Sequence, residues 1–257
     1  MSREECKRLD QADVLRILFH PRRDNTPDDE QTVRFSVADD IEIGGRFHPA
    51  DKDAPVILLF HGNGEIASDY DMIAPFYLEN GISLLVVDYR GYGKSGGRPT
   101  VSTLLDDALA VYRQTGKGLA DHGYQYSRLF VMGRSLGSAA ALEIAAEAGK
   151  SISGLIIESG FSNPLALINR LGGPSLKELE ETCGFDNLKK IERVEAPTLI
   201  IHGEEDFIIP LEEGEALFKG CKAKRKEFLS VPGAGHNDLI VRGLRQYFKA
   251  IRKLVSG

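Results

Sequence analysis

Five short apolar runs dominate the middle of the chain: PVILLF from Pro55, ISLLVV from Ile82, RLFVM from Arg128, GLII from Gly154 and PTLII from Pro197. All are rich in Val, Ile and Leu, and none alternates apolar with polar residues. Successive side chains of a strand point to opposite faces, so a strand with one wet face must alternate. An unbroken run means that both faces are covered, as in a parallel sheet. Between the runs lie the helical stretches DYDMIAPFYLEN, TVSTLLDDALAVYRQT and SLGSAAALEIAAEAG. Strand and helix alternating in this way predict an α/β fold with right-handed crossovers. In such sheets ligands sit beyond the carboxyl ends of the strands, so chemistry is sought just after each run.

The flanks read differently. TVRFSVADDIEIGGRFH alternates on either side of Asp39 and Asp40, which predicts a hairpin. VLRILF predicts a short helix or strand docked on the main body, followed by the polar connector HPRRDNTPDDEQ. The expected organisation is an extension over 1–31 that packs on the core, then one domain over 32–257.

A chain of 257 residues with 42% hydrophobic and 27% charged residues can bury its own core without disulfides or metals. Its net charge of -6 argues against nucleic-acid partners, which select basic surfaces. The basic run CKAKRKE (Lys222, Lys224, Arg225, Lys226) reads as a solvated connector, with an anionic contact as the alternative. Cys6, Cys183 and Cys221 are scattered and odd in number, which fits neither a disulfide framework nor a zinc site, and no cofactor or metal is expected. The first residues mix both charge signs around a short apolar stretch, unlike a signal peptide, and no run approaches a membrane span. The expectation is a cytoplasmic protein of small-molecule partners. No motif bears on oligomeric state.

Two stretches satisfy G-x-S-x-G: GKSGG at Gly93–Gly97 and GRSLG at Gly133–Gly137. A nucleophile elbow needs a strand running into a sharp turn and straight into a helix, so that the hydroxyl stands exposed at the strand end. Ser135 has RLFVM before it and an alanine-rich helix former after it, whereas Ser95 is followed by Gly96, Gly97, Arg98 and Pro99, which extend a loop. A phosphate-binding loop is also excluded there, because Asp88 stands where its first glycine belongs. Ser135 is the candidate nucleophile.

A serine hydroxyl needs a base, and the base an acid to orient it. APTLIIHGEEDFIIP places Asp206 after a buried strand, and KEFLSVPGAGHNDL places His236 after the last one. Glu204, Glu205 and Glu158 compete with Asp206 for the role of acid. His236 alone of the six histidines follows that acid. His20, His48 and His122 read as surface residues, and His202 as a structural hydrogen-bonding residue. An oxyanion would need two backbone donors: Leu136, which follows the nucleophile, and Asn63 in HGNGE, with Gly64 as competitor.

HGNGE, DYRGYGKSGG, GRSLG, HGEEDFIIP and GAGHNDL together resemble the α/β-hydrolase superfamily from about Thr32 onward. They are most similar to small intracellular serine hydrolases with an H-G-N oxyanion loop, of esterase, thioesterase or peptidase type. The resemblance implies an eight-stranded, mostly parallel sheet, with DYRGYGKSGG as the loop after its fourth strand. It also implies a short lid over about 161–195. Phe161, Leu165, Leu167, Ile168, Leu171 and Phe185 there either cover an acyl pocket or form the buried faces of ordinary helices. Asn63 departs from the H-G-G-G loop of lipases for bulky lipids, and serine at the nucleophile position departs from haloalkane dehalogenases.

The expected activity is hydrolysis of a carboxylic ester or thioester of small to medium acyl chain through an acyl-enzyme. An aminopeptidase or amidase on the same triad would need Glu65 or Glu158 to receive the substrate amino group. A non-catalytic binding protein of the same fold is the remaining class, against which the triad order stands. Depalmitoylation at a membrane, through VLRILF or Cys6, is opposed by the lone cysteine and the acidic balance.

Overall fold

The computed structural model describes residues 9–174 and 185–257. Cys6, Cys183 and the middle of the expected lid segment lie outside the described residues. Among them, eight strands form one sheet: β1 (Thr32–Ala38), β2 (Ile41–His48), β3 (Val56–Phe60), β4 (Ser83–Val87), β5 (Leu129–Arg134), β6 (Gly154–Glu158), β7 (Thr198–Gly203) and β8 (Lys226–Val231). Their spatial order is β1-β2-β4-β3-β5-β6-β7-β8. The expected hairpin is the antiparallel β1–β2 pair, and β2 meets β4 antiparallel. From β4 to β8 every pairing is parallel.

The apolar runs become the central strands because each feeds two cores at once. Leu58, Val131 and Ile200 enter the core on one face, while Ile57, Leu59, Met132 and Ile201 enter the other. The second core is closed by α2 (Ala74–Glu79) and α8 (Leu239–Ser256). The first is covered by α1 (Ala12–Leu18), α3 (Val101–Asp121), α4 (Gly137–Ala148), α5 (Pro164–Arg170), α6 (Asn187–Ile191) and α7 (Leu211–Gly220). Ala139, Ala140 and Ala141 are fully buried, so α4 lies close against the sheet behind β5. Small side chains there let helix and strand approach, which fixes where the β5–α4 turn points.

Local signals set the helix ends. The Thr100 hydroxyl accepts from the Thr103 N–H at 3.0 Å, and Asn163 Oδ1 accepts from Leu165 and Ala166 N–H at 2.9 and 3.1 Å. DYDMIAPFYLEN is not one helix, as the sequence suggests. It forms a 3₁₀ turn over Ala67–Met72 and then α2, because Pro75 lacks the N–H that would continue the first into the second. VLRILF falls on α1, whose Val14 and Leu18 are buried in the first core. No described helix is long and apolar enough to cross a membrane. In the basic run, the Lys226 ammonium donates to the carbonyls of Phe218 and Cys221, capping the end of α7.

Candidate active site

The β5–α4 turn carries Ser135 at φ +51, a left-handed conformation that few side chains adopt. The turn is tight enough that its glycines are obligatory. A Cβ on Gly133 would stand 2.3 Å from the Gly137 carbonyl oxygen, and one on Gly137 would stand 2.1 Å from that of Phe60. The strained backbone is held by the Ser135 N–H donating to the Glu158 carbonyl at 2.9 Å. It lifts the hydroxyl beyond the strand ends.

Two later loops meet it there. His236 Nε2 lies 2.9 Å from Ser135 Oγ, and His236 Nδ1 lies 2.7 Å from Asp206 Oδ2. Asp206 Oδ1 accepts the Ile208 and Ile209 N–H groups at 3.0 and 2.8 Å. Burial pushes the Asp206 carboxyl up, but His236 and the Ile209 N–H outweigh it and hold it below the usual carboxylate range. An ionised Asp206 keeps the proton on His236 Nδ1 and leaves Nε2 free to accept from the serine. The rival acids are elsewhere: Glu204 and Glu205 are exposed, and Glu158 Oε2 accepts from the Tyr247 hydroxyl at 2.6 Å.

Ser135, Leu136, Asn63, Arg134, His236 and Asn237 border a cavity of about 220 Å³ whose other wall is aliphatic: Ile17, Leu18, Leu167, Leu171, Ile208 and Ile209. Larger depressions of about 310 and 410 Å³ open at the amino ends of the strands, away from Ser135, so size alone does not pick the site. Of the six lid candidates, Leu167 and Leu171 face the cavity, whereas Phe161, Ile168 and Phe185 are fully buried in the core. Among the described residues no acceptor engages the N–H of Leu136 or Asn63.

The Asn63 side chain is not a bystander. Its Oδ1 accepts from the His20 N–H at 2.9 Å and from the Tyr92 hydroxyl at 2.8 Å, and its Nδ2 sits 3.0 Å from His20 Nδ1. Sequence reasoning also passed over Arg134, although it stands inside GRSLG. This nearly buried guanidinium donates to Glu158 Oε1 at 3.1 Å, to the His236 carbonyl at 2.8 Å, to Asn237 Oδ1 at 3.1 Å and to Glu65 Oε1. Glu65 Oε2 in turn accepts the Gly62 N–H at 2.7 Å. One side chain thus ties the serine turn, the histidine loop and the HGN loop together. Burial opposes its charge, but Glu65 and Glu158 keep it charged. The one available signal was a cation directly before Ser135.

The remaining histidines sort by burial. His202 Nε2 donates to the Ile209 carbonyl at 2.8 Å, as its structural reading requires. His122 is exposed. His48 is not the surface residue expected: β2 lies inside the sheet, and the ring is buried 3.4 Å from Asp71. His20 is exposed but borders the cavity.

Comparison with known proteins follows the same lines. Residues 51–183 match the family described as Hydrolase_4, serine aminopeptidase, S33. Alpha/beta hydrolase domain-containing protein 17B of Homo sapiens is 33% identical over 209 residues, which cover 79% of this chain and 67% of that protein. The chain spans about two thirds of the length of such relatives. Among solved structures, an esterase of Pyrococcus furiosus superposes with a TM-score of 0.73 at 19% identity, covering 92% of this chain and 98% of the other. A monoglyceride lipase of Saccharomyces cerevisiae, solved with a substrate analog, gives 0.68 at 18% identity over 93% and 98%.

Proposed function

Because the chain belongs to the serine aminopeptidase S33 family of α/β-hydrolases, we propose that it cleaves carboxylic esters or thioesters through an acyl-enzyme carried on Ser135. In this reading residues 32–257 are the hydrolase domain, 1–31 an extension packed on it, and 161–195 a small lid. The observation that carries the reading is the unbroken chain of hydrogen bonds from Ser135 Oγ through His236 to Asp206, set on a turn at φ +51.

The chemistry follows from the geometry. His236 Nε2 takes the hydroxyl proton as Ser135 Oγ attacks the acyl carbon, and Asp206 stabilises the imidazolium that results. The Leu136 and Asn63 N–H groups receive the oxyanion, each worth about 10²–10³ in rate. His236 then returns the proton to the departing alkoxide or thiolate, and deprotonates a water that releases the acid. The aliphatic wall favours an apolar acyl group of small to medium length. The esterase and lipase names belong to those other proteins, and agree with this lining.

The amidase alternative asks for a carboxylate free to meet an amino terminus. Glu65 and Glu158 are both engaged by Arg134, and among the described residues no carboxylate borders the cavity. A fluorophosphonate probe tests the reading. The wild-type chain is expected to be labelled at Ser135, and Ser135→Ala to lose labelling and about 10⁶ in kcat on activated esters. Normal labelling of that variant would refute the assignment.

A further inference from the structure

The segment before the sheet does more than fill the core. Val14 and Leu18 of α1 are buried, but Ile17, one turn along, faces the cavity above Ser135. α1 packs against α5, whose Leu167 also borders the cavity, as does Leu171 just past its end. The two packed helices therefore present one aliphatic surface to the cavity that Ser135 borders.

The segment is fastened at both ends. Ahead of α1, Asp10 Oδ1 accepts the Ser102 N–H at 3.2 Å. Behind it, the His20 N–H donates to Asn63 Oδ1 at 2.9 Å and to the Tyr92 hydroxyl at 2.7 Å. Arg22 then spans the Gly64 carbonyl at 3.0 Å and the Asp69 carboxylate at 2.7 Å. Arg23 forms a bridge to Gly93. A strap anchored on the HGN loop itself is a fixed wall, and a fixed wall can measure length.

We infer that α1 sets the acyl length this site accepts, with Ile17 as the specificity-determining residue and a straight aliphatic acyl chain as the group held against α1 and α5. The inference rests on the acyl-enzyme reading and adds the substrate's shape to it. An aliphatic chain fits because Ile17 and Leu18 of α1, and Leu167 and Leu171 at α5, are all aliphatic, while the polar side chains of the cavity, His20, Asn63, Arg134 and Asn237, come from other segments. A single methylene in such a cavity changes kcat/KM by up to about 10²-fold, so one bulky or truncated wall residue is enough to shift the preferred length.

The test uses the full chain, its Ile17→Trp and Ile17→Ala variants, and p-nitrophenyl acetate, butyrate, octanoate and dodecanoate. Labelling of Ser135 by alkyl fluorophosphonates of short and long chain provides a second readout. Ile17→Trp should lower kcat/KM for octanoate relative to acetate about tenfold. Ile17→Ala should move the optimum toward dodecanoate. Arg16→Ala, an exposed residue on the same helix, should keep the wild-type profile. Thermal melts establish that each variant is folded, and Leu171→Trp repeats the narrowing from the α5 side. Short probes labelling Ser135 in every variant while the length profile stays unchanged would overturn the inference and leave the hydrolase reading standing. Failure of every probe to label wild-type Ser135 would overturn both.

Discussion

GKSGG and GRSLG share a pattern and a fold position, since each follows a central parallel strand, β4 or β5. They use glycine and serine for opposite ends. Around Ser135 the missing side chains let two backbone segments touch, and the hydroxyl is left to a histidine. Around Ser95 they make room for an acid: a Cβ on Gly93 would stand 2.0 Å from Asp88 Oδ2. The Ser95 hydroxyl is fully buried and accepts the Gly44 N–H at 2.9 Å, which closes β2 onto the loop. A motif therefore reports backbone crowding. What the hydroxyl faces decides whether the turn does chemistry.

The largest effect expected from breaking this contrast is at Asp206. Asp206→Asn should leave the backbone turn intact but misassign the His236 proton, lowering kcat by about 10⁴ while substrate binding changes little. Steady-state kinetics on an activated ester measures it. Ser95 has no such acid–base partner, so no substitution around it should reach that size. Next comes Arg134, the residue that distinguishes GRSLG physically from GKSGG. Arg134→Met strands Glu158, 2% exposed, without its cation. A stability loss of about 3–5 kcal/mol by urea denaturation is expected. Arg134→Lys keeps the charge but not the fork, so it should recover more stability than kcat.

The different surroundings of the two serines were legible because helix and loop propensities differ sharply after them. The sheet was equally legible: unbroken apolar runs of about five residues read as covered strands, and β3 to β7 lie where those runs stand. The order Ser135, Asp206, His236 was readable from strand ends alone. What escaped was whatever depends on side chains converging from distant loops. Arg134 offers a sequence no period or spacing, yet it joins the end of β6, the HGN loop and the histidine loop. His48 looked exposed because its neighbours are polar in sequence, while the position of β2 between β1 and β4 buries it. The Asn63 carboxamide was read for its backbone alone, and its partners are His20 and Tyr92, 43 and 29 residues away.

Smaller effects sharpen the contrast further. Ser95→Ala leaves the Gly44 N–H buried without its acceptor, a cost of about 1–3 kcal/mol in stability. Its kcat should stay at the wild-type value, since Ser95 lies outside the cavity. The two turns should also part in their response to acid. Burial alone would raise the folded-state value of Asp206, but His236 and the Ile209 N–H bring it below the ordinary 3.8. A carboxylate depressed in the folded state stabilises above its unfolded value and loses that contribution as pH falls through the folded one. The stability gap between wild type and Asp206→Asn should therefore close as pH falls below about 4. The gap between wild type and Ser95→Ala involves no titrating group and should not change over the same range. Urea midpoints at stepped pH read both. A Ser95→Ala gap that closes in parallel with that of Asp206→Asn would show that the two turns are electrostatically coupled, and that the division of labour between them is wrong.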